Sequence, residues 1–567
     1  MKDPRTTAHE PDGAAPRNTA LGLPRREFIK IGGLAGMATI AAPLVRPASS
    51  AAAAPAPART GLHLIRQADR SGAPAADQLH LQFGADTARS MVVSWSTPVP
   101  VRRPKVRLGT PSGGHGHEVH AQVKTYTEAI SGETVWTYHA HLEGLHPDTD
   151  YIYTVLADGA PTVDGTFRTA PKGRQPFRFT SFGDQAIPAA VGSGQQIGPN
   201  TPNAKYVVDA LGGLDRQPLF HLLNGDLCYA NVSDDPVATW RSFFTNNMPA
   251  ASRYPWMPAA GNHENEVGNG PQGYLAYQTW FTLPDNKQPD LFQGNWYSFK
   301  AGSVGVVSLN NDDVCYQQGS TSPYRVAHMM DPAANTDDYI RGYSAGAQKA
   351  WLDKTLAKLR GDNDIDWIVV CMHQVAMSSA NFNGADLGIR EEWLPLFDQY
   401  GVDLVVAGHE HHYERSYAVR GADHSNAAPT GKDLLTPIAQ TSGAVTTFDT
   451  TQGTVHMILG GGGHSTATPP ASFDDDSHGV VIYDVAAPVN GVRAAQKVLQ
   501  EPSHWSAHRD LVNEYGFGVF DVDPGTPGGT TSITFTYYGT TLGSATYTPQ
   551  DSIVLTRPRG GHGSGHG

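Results

Sequence analysis

Leu219-Phe220-His221-Leu222-Leu223-Asn224-Gly225-Asp226-Leu227-Cys228-Tyr229 joins a short, mostly apolar run to a turn bearing a carboxylate and a phenol. Such a run, bounded by turn residues, reads as a strand covered on both faces. Gly225 lets the backbone leave the strand sharply, which puts Asp226 and Tyr229 at its carboxyl end. The arrangement recurs. Phe177–Phe182 leads to Gly183-Asp184, Trp256–Ala260 to Gly261-Asn262-His263-Glu264, Trp367–Cys371 to His373, and Val402–Ala407 to Gly408-His409-Glu410-His411. Gly305–Leu309 and Val455–Leu459 are runs of the same kind, and Gln348–Leu359 and Glu391–Tyr400 have helical spacing. Buried strands alternating with helices predict an α/β core, with its site in the crevice beyond the strand ends. The β-rich stretch Gly516–Val522, Ser532–Tyr538 and Ser552–Leu555 is expected to complete one sheet.

Upstream the grammar is different. Between Asp77 and Pro171 lie His80-Leu81-Gln82-Phe83, Met91–Trp95, Val135–Tyr138 and Tyr151–Val155, separated by turn clusters. This spacing predicts a small β-sandwich. Gly144-Leu145-His146-Pro147-Asp148-Thr149-Asp150-Tyr151 resembles a corner of fibronectin type III modules. The module's histidines (His115, His117, His120, His139, His141) are expected on solvated loops and strand faces. At the amino end, Pro24-Arg25-Arg26-Glu27-Phe28-Ile29-Lys30 and the uncharged Ile31–Val45 resemble a twin-arginine export signal. Ile31–Val45 is shorter than the roughly 20 apolar residues of a membrane span. The expected organisation is a signal over 1–54, an Ala/Pro-rich linker over 55–75 and the β-module over 76–171. An α/β domain follows over 172–557, then a disordered Gly/His tail over 558–567. Export by that route implies a secreted or cell-envelope protein with no membrane anchor after cleavage. The oligomeric state is left open.

Composition narrows the function. Charged residues are 17% of the chain, against roughly 25% in an average soluble protein; 61 Gly and 41 Pro imply long ordered loops. A net charge of −13 argues against general nucleic-acid binding, because it repels a polyphosphate backbone. Cys228, Cys315 and Cys371 are too few and scattered for a disulfide scaffold or a thiolate metal site, and an odd count leaves at least one free.

The strand-end residues are what remain. Carboxylate, amide, phenol and imidazole donors suit iron, manganese or zinc, and their number matches two cations. A metal pair roughly 3.5–4 Å apart can clamp both oxygens of an in-line displacement at phosphorus. Gly225-Asp226-Leu227-Cys228-Tyr229, Gly261-Asn262-His263-Glu264 and the stretch Gly408-His409-Glu410-His411-His412-Tyr413-Glu414-Arg415 resemble the motifs of purple acid phosphatases. These belong to the calcineurin-like metallophosphoesterase superfamily, and the resemblance extends from the β-module to Leu555. It implies an αββα metallophosphoesterase sandwich preceded by the all-β fibronectin III-like module.

Carried over by position, the resemblance implies that Asp184, Tyr229 and His411 hold a first metal, Fe(III) in the family. Asn262, His373 and His409 would hold a second, divalent ion (Fe, Zn or Mn), with Asp226 bridging. His263 would face substrate as the catalytic histidine. The implied activity is an exported phosphoester hydrolase of acid phosphatase type acting on small molecules, a metal-bound hydroxide attacking phosphorus in line. Two features depart from the family: Gln185-Ala186 follows Asp184, and the loop Gln374–Gly384 lacks the histidines that plant enzymes carry there. Asn381 and Asn383 are the substitute donors in that loop, though each also suits a turn. The departure leaves monoester against diester preference open, with a phosphodiesterase or phospholipase-like enzyme as the alternative and a non-catalytic phosphate- or metal-binding surface protein as a further one. Tyr413, Glu414 and Arg415 are expected to orient the metal loop, and Cys228 to pack in the core. The run Gly460–Gly463 with His464 follows a strand, where it could cradle phosphate, but it lacks the ending of a nucleotide-phosphate loop and so reads as a loop near the site.

Overall fold

Trp367–Cys371 shows how the main domain is layered. Trp367, Val369 and Cys371 enter one apolar core while Ile368 and Val370 enter another, so both faces of the strand are covered. The computed structural model describes residues 72–129, 131–189, 201–266, 273–316, 342–380, 383–421, 436–437, 446–464, 479–483, 497–501 and 503–560. The expected signal, linker residues 55–71 and tail residues 561–567 lie outside them.

The chain first forms β1 (Asp77–Phe83), β2 (Met91–Thr97), β3 (Lys105–Thr110), β4 (Gly114–His120), β5 (Gln122–Thr127), β6 (Thr134–Leu142), β7 (Asp150–Leu156) and β8 (Val163–Arg168). Two antiparallel sheets, ordered β1-β2-β6-β5 and β4-β3-β7-β8, enclose Trp95, Tyr138, Tyr153 and Phe167. β4 and β5 are mostly exposed. They carry His, Glu, Lys and Thr rather than an apolar run, which is why sequence pattern does not reveal them.

The main domain adds β9 (Phe177–Phe182), β10 (Phe220–Asn224), β11 (Trp256–Ala259), β12 (Tyr297–Ala301), β13 (Val304–Ser308), β14 (Trp367–Cys371), β15 (Ala385–Asp386), β16 (Leu404–Ala407), β17 (Tyr413–Arg420) and β18 (Thr436–Pro437). Then come β19 (Thr446–Asp449), β20 (Thr454–Leu459), β21 (Gly479–Tyr483), β22 (Lys497–Glu501), β23 (Ser506–Arg509), β24 (Tyr515–Asp523), β25 (Thr530–Thr540) and β26 (Thr548–Pro558). One sheet is ordered β11-β10-β9-β24-β25-β26-β19 and the facing one β12-β13-β14-β16-β20-β17-β18, with β23 on β17. β9, β10 and β11 run parallel, as do β13, β14, β16 and β20. The C-terminal β24 to β26 join the first sheet through β9, as expected for one continuous sheet. Helices α1 (Asn203–Gly212), α2 (Pro236–Ala251) and α3 (Leu275–Trp280) cover the first sheet; α4 (Ala347–Arg360), α5 (Leu387–Glu392) and α6 (Leu394–Tyr400) cover the second. This is the expected αββα sandwich. The helix expected over Glu391–Tyr400 is broken at Trp393, since Pro395 has no amide to continue the ladder. β26 reaches Pro558, and the amides of Arg559 and Gly560 bond Gly529 and Asp366, so the ordered chain passes the boundary expected at 557. Among the described residues no helix is long and apolar enough to cross a membrane. All three cysteines are buried and free.

One correction concerns the module's histidines. His115, His117 and His120 lie exposed on β4, but His139 has no exposed surface. It belongs to a polar seam that receives the end of α3. A helix leaves its last carbonyls unpaired; here side chains of the β-module take them. Lys124 Nζ donates to Gln278 O (2.9 Å) and Phe281 O (3.0 Å). His139 Nε2 lies 3.0 Å from Thr279 O and His80 Nε2 2.9 Å from Trp280 O. A cation at this end also suits the helix dipole. His80 stacks on Phe244 with ring centroids 4.2 Å apart. Burial lowers its pKa to about 4, against the carbonyls of Gln78 and Trp280 that favour protonation.

The sign of the linkage follows. Below the ordinary imidazole value of 6.5 the unfolded chain takes up a proton at His80 that the folded chain refuses until about pH 4. The contribution of His80 to folding stability is therefore full above pH 6.5 and declines as pH falls, by ~1.4 kcal/mol per unit and ~3 kcal/mol over the window. Urea unfolding at stepped pH should show this decline, and His80→Gln should flatten its slope by about one proton.

Candidate metal centre

The carboxyl ends of β9, β10, β11, β14, β16 and β20 meet at one rim of the sandwich. Asn224, the last residue of β10, ties the sheets together there. Its Nδ2 donates to Ala407 O (3.3 Å), its Oδ1 accepts from Ser181 (2.8 Å), and its carbonyl lies 2.7 Å from His373 Nδ1. The chain leaves these strands in strained conformations. Asp184, Asp226, Tyr229 and His409 all have positive φ, between 49° and 71°, a costly state for residues with a Cβ that concentrates at functional sites. Gly225 has φ +76°, and a Cβ there would stand 2.6 Å from the His373 ring.

Seven strand-end residues form two adjoining groups. In one, Tyr229 OH lies 3.2 Å from Asp184 Oδ1 and 3.2 Å from His411 Nε2, and these last two atoms are 3.3 Å apart. In the other, His373 Nε2 lies 3.0 Å from Asp226 Oδ2, 3.0 Å from Asn262 Oδ1 and 3.1 Å from His409 Nδ1. Asp226, His373 and His409 are close enough to share one ion. The groups are joined by Asp184 Oδ2, which accepts the amide of His409 at 2.8 Å.

This donor set fits cations. His373 Nδ1 faces a carbonyl oxygen, which can only accept, so Nδ1 carries the hydrogen. In the neutral ring Nε2 then has only a lone pair, directed at a carboxylate, an amide oxygen and another imidazole nitrogen. One proton cannot satisfy that convergence; a metal ion can. Burial opposes charge on His373, yet Asp226 and Asp184 raise its pKa to about 10, which shows how strongly the pocket draws positive charge. Burial, Asp184 and Asp226 push the Tyr229 phenol well above its usual range, so phenolate forms there only against a strong local cation.

Other residues hold the frame. Glu264 accepts the backbone amides of Asp226, Leu227 and Gly261, each at 2.8 Å, and thereby fixes the turns bearing two ligands. Its place in Gly261-Asn262-His263-Glu264 was the available signal. Glu414 accepts from Ser379 and Ser506, while Asp551 accepts from Tyr413 OH (2.7 Å) and Arg415 Nε (2.6 Å). Tyr413, Glu414 and Arg415 thus anchor the loop that carries His409 and His411. His263 is partly exposed, its Nδ1 2.7 Å from Asn231 Oδ1 and its Nε2 3.8 Å from Asp226 Oδ2; no motif marked Asn231 in advance. Asn383 donates its amide to His409 O at 2.6 Å, so it secures the metal loop. Asn381 lies outside the described residues. Cys228 is core, as expected, and the glycine run after β20 brings His464 beside Tyr229.

Comparison with known proteins agrees with this geometry. Residues 76–169 match the model of the purple acid phosphatase N-terminal domain, and 199–413 match that of calcineurin-like phosphoesterases. The chain belongs to the purple acid phosphatase family. It is accordingly a metal-dependent phosphoester hydrolase by family, built for a dinuclear centre. An uncharacterized protein of Mycobacterium tuberculosis (strain ATCC 25618 / H37Rv) is 50% identical over 504 residues, covering 87% of this chain and 90% of that one. The Fe(3+)-Zn(2+) purple acid phosphatase 12 of Arabidopsis thaliana is 25% identical over 404 residues, 68% of this chain and 72% of its own. Among solved structures, purple acid phosphatase PPD1 from yellow lupin (Lupinus luteus) seeds shares the fold with a TM-score of 0.59 at 21% identity, covering 85% of this chain and 75% of that one. The phosphoesterase match begins after Asp184, so that family model does not cover β9 or the aspartate that follows it.

Gly225→Ala adds a methyl against the His373 ring at a left-handed backbone position. It should displace His373 and strip the ion of the Asp226–His373–His409 group, reading as the loss of about one metal per chain by elemental analysis.

Proposed function

We propose that this protein is an exported phosphoester hydrolase of acid phosphatase type, with Fe(III) held by Asp184, Tyr229 and His411. A divalent ion (Fe, Zn or Mn) would be held by Asn262, His373 and His409, with Asp226 shared between the two sites. The observation that carries the reading is the convergence of lone-pair donors on His373 Nε2 beside the Asp184–Tyr229–His411 triangle. The twin-arginine-like signal supports export. When bound, two such cations supply acidification of water and neutralisation of charge on phosphoryl oxygens.

The chain's own part is positioning and proton transfer. Asn231 holds the His263 ring by Nδ1 and leaves Nε2 toward Asp226; from there it serves the departing oxygen as general acid or stabilises the charge building on phosphorus. Glu264 keeps Asp226 and Asn262 in register, which holds the reacting groups near attack geometry.

A diesterase reading has one observation in its favour. The loop after His373 has no histidine to protonate a monoester leaving group, and among its described residues the Asn383 amide is engaged with the His409 carbonyl. Turnover of a monoester and a diester on one sample across pH separates the two. The expected result is two metals per chain with hydrolysis of at least one ester. His263→Ala should lower kcat by about 10²–10⁴, and Tyr229→Phe, which removes the phenolate whose charge transfer to Fe(III) would give colour, should abolish visible colour in iron-loaded protein. Metal-replete protein inert toward both esters refutes the reading.

A further inference from the structure

β20, a parallel strand beside β16, also ends at this rim without carrying any of the seven donors. It runs into Gly460-Gly461-Gly462-Gly463-His464. The run is fastened along its length. Gly460 N donates to His412 O (3.2 Å), Gly462 N to Gly183 O (2.9 Å), and His464 N to Asp184 O (2.7 Å). Thr201 Oγ1 bonds the carbonyl of Gly463 at 2.5 Å. The glycines are required for this approach: a Cβ on Gly463 would stand 2.7 Å from Ala204 Cα, and one on Gly460 2.9 Å from Asp184 Oδ2.

This rigid path delivers His464 into the centre. Its ring centroid lies 4.7 Å from that of Tyr229, edge to face, and 4.4 Å from that of His411. The Tyr229 ring also contacts His263 at 4.4 Å, so both histidines border the same ring. His464 Nδ1 is buried with no hydrogen-bond partner among the described residues. A buried, unpaired imidazole nitrogen is unfavourable unless something else satisfies it. Its place beside the Asp184–Tyr229–His411 triangle indicates what that is: an oxygen-rich group seated on the metal centre.

We propose that His464 is a substrate-binding residue, its imidazole hydrogen-bonding a non-bridging oxygen of the phosphoryl group. It would supply from β20 the contact that the histidine-free loop after His373 does not. The inference rests on the hydrolase reading above. It assigns His464 to ground-state binding of the phosphoryl group rather than to metal retention.

The test compares wild type, His464→Ala and His464→Gln as metal-loaded full-length protein. Metal content, KM and kcat for p-nitrophenyl phosphate and calorimetric affinity for inorganic phosphate are measured. Removing one hydrogen bond to a charged oxygen should weaken phosphate binding and raise KM about tenfold or more, with two metals retained and kcat less affected. Gln, which keeps a side-chain donor, should restore part of the loss and also guards against a folding defect in the Ala variant. Unchanged KM and phosphate affinity in both variants would overturn the proposal. So would loss of metal in both variants, which would make His464 a packing support for Tyr229 and His411. Metal-loaded wild type that neither binds phosphate nor turns over ester would instead bring down the hydrolase reading and this inference with it.

Discussion

A shortage of protons at the strand ends is the constraint on which the site depends. Carboxylates, an amide oxygen, a phenol and imidazoles each lie 3.0 to 3.3 Å from a neighbouring donor, almost wholly out of water. Buried charge is tolerated when it is compensated, and the hydrogens available here cannot compensate all the lone pairs presented. Bound cations would resolve the conflict. The left-handed backbone at four of the donors, the glycines that admit neighbouring rings and Glu264 with its three amides are the means by which the chain holds them together against their mutual repulsion.

That arrangement requires two sheets in fixed relation. Each contributes some of the ligands, and Asn224 binds both, through the Ala407 carbonyl on one side and Ser181 on the other. The two inner faces share one apolar core, so a shift of one sheet over the other would cost packing as well as ligand geometry. The β-module enters the same core. Through Lys124, His139 and His80 it also closes the carbonyl end of α3, a helix too short to be stable alone. The module is therefore part of what supports the main domain, beyond any role as a spacer.

The surroundings of the donors come from several strand ends. Asn383 fastens the loop of His409. His464 arrives beside Tyr229 on a glycine run.

Much of this was legible in the amino-acid sequence. Strands buried on both faces must be apolar throughout, and glycine turns ending in Asp, Asn, His or Tyr are local features, so β9, β10, β11, β14 and β16 and their seven donors could be read directly. What the sequence could not show depends on residues far apart in the chain. β4 and β5 lack an apolar face, and His139 looks like any strand-surface histidine until α3 covers it. Asn231, Glu264 and His464 acquire their roles only from distant partners. Local pattern determines which elements form and which side chains stand at their ends. The partners of a buried polar group are decided by tertiary packing, because burial, and with it the need for compensation, exists only once the layers have closed.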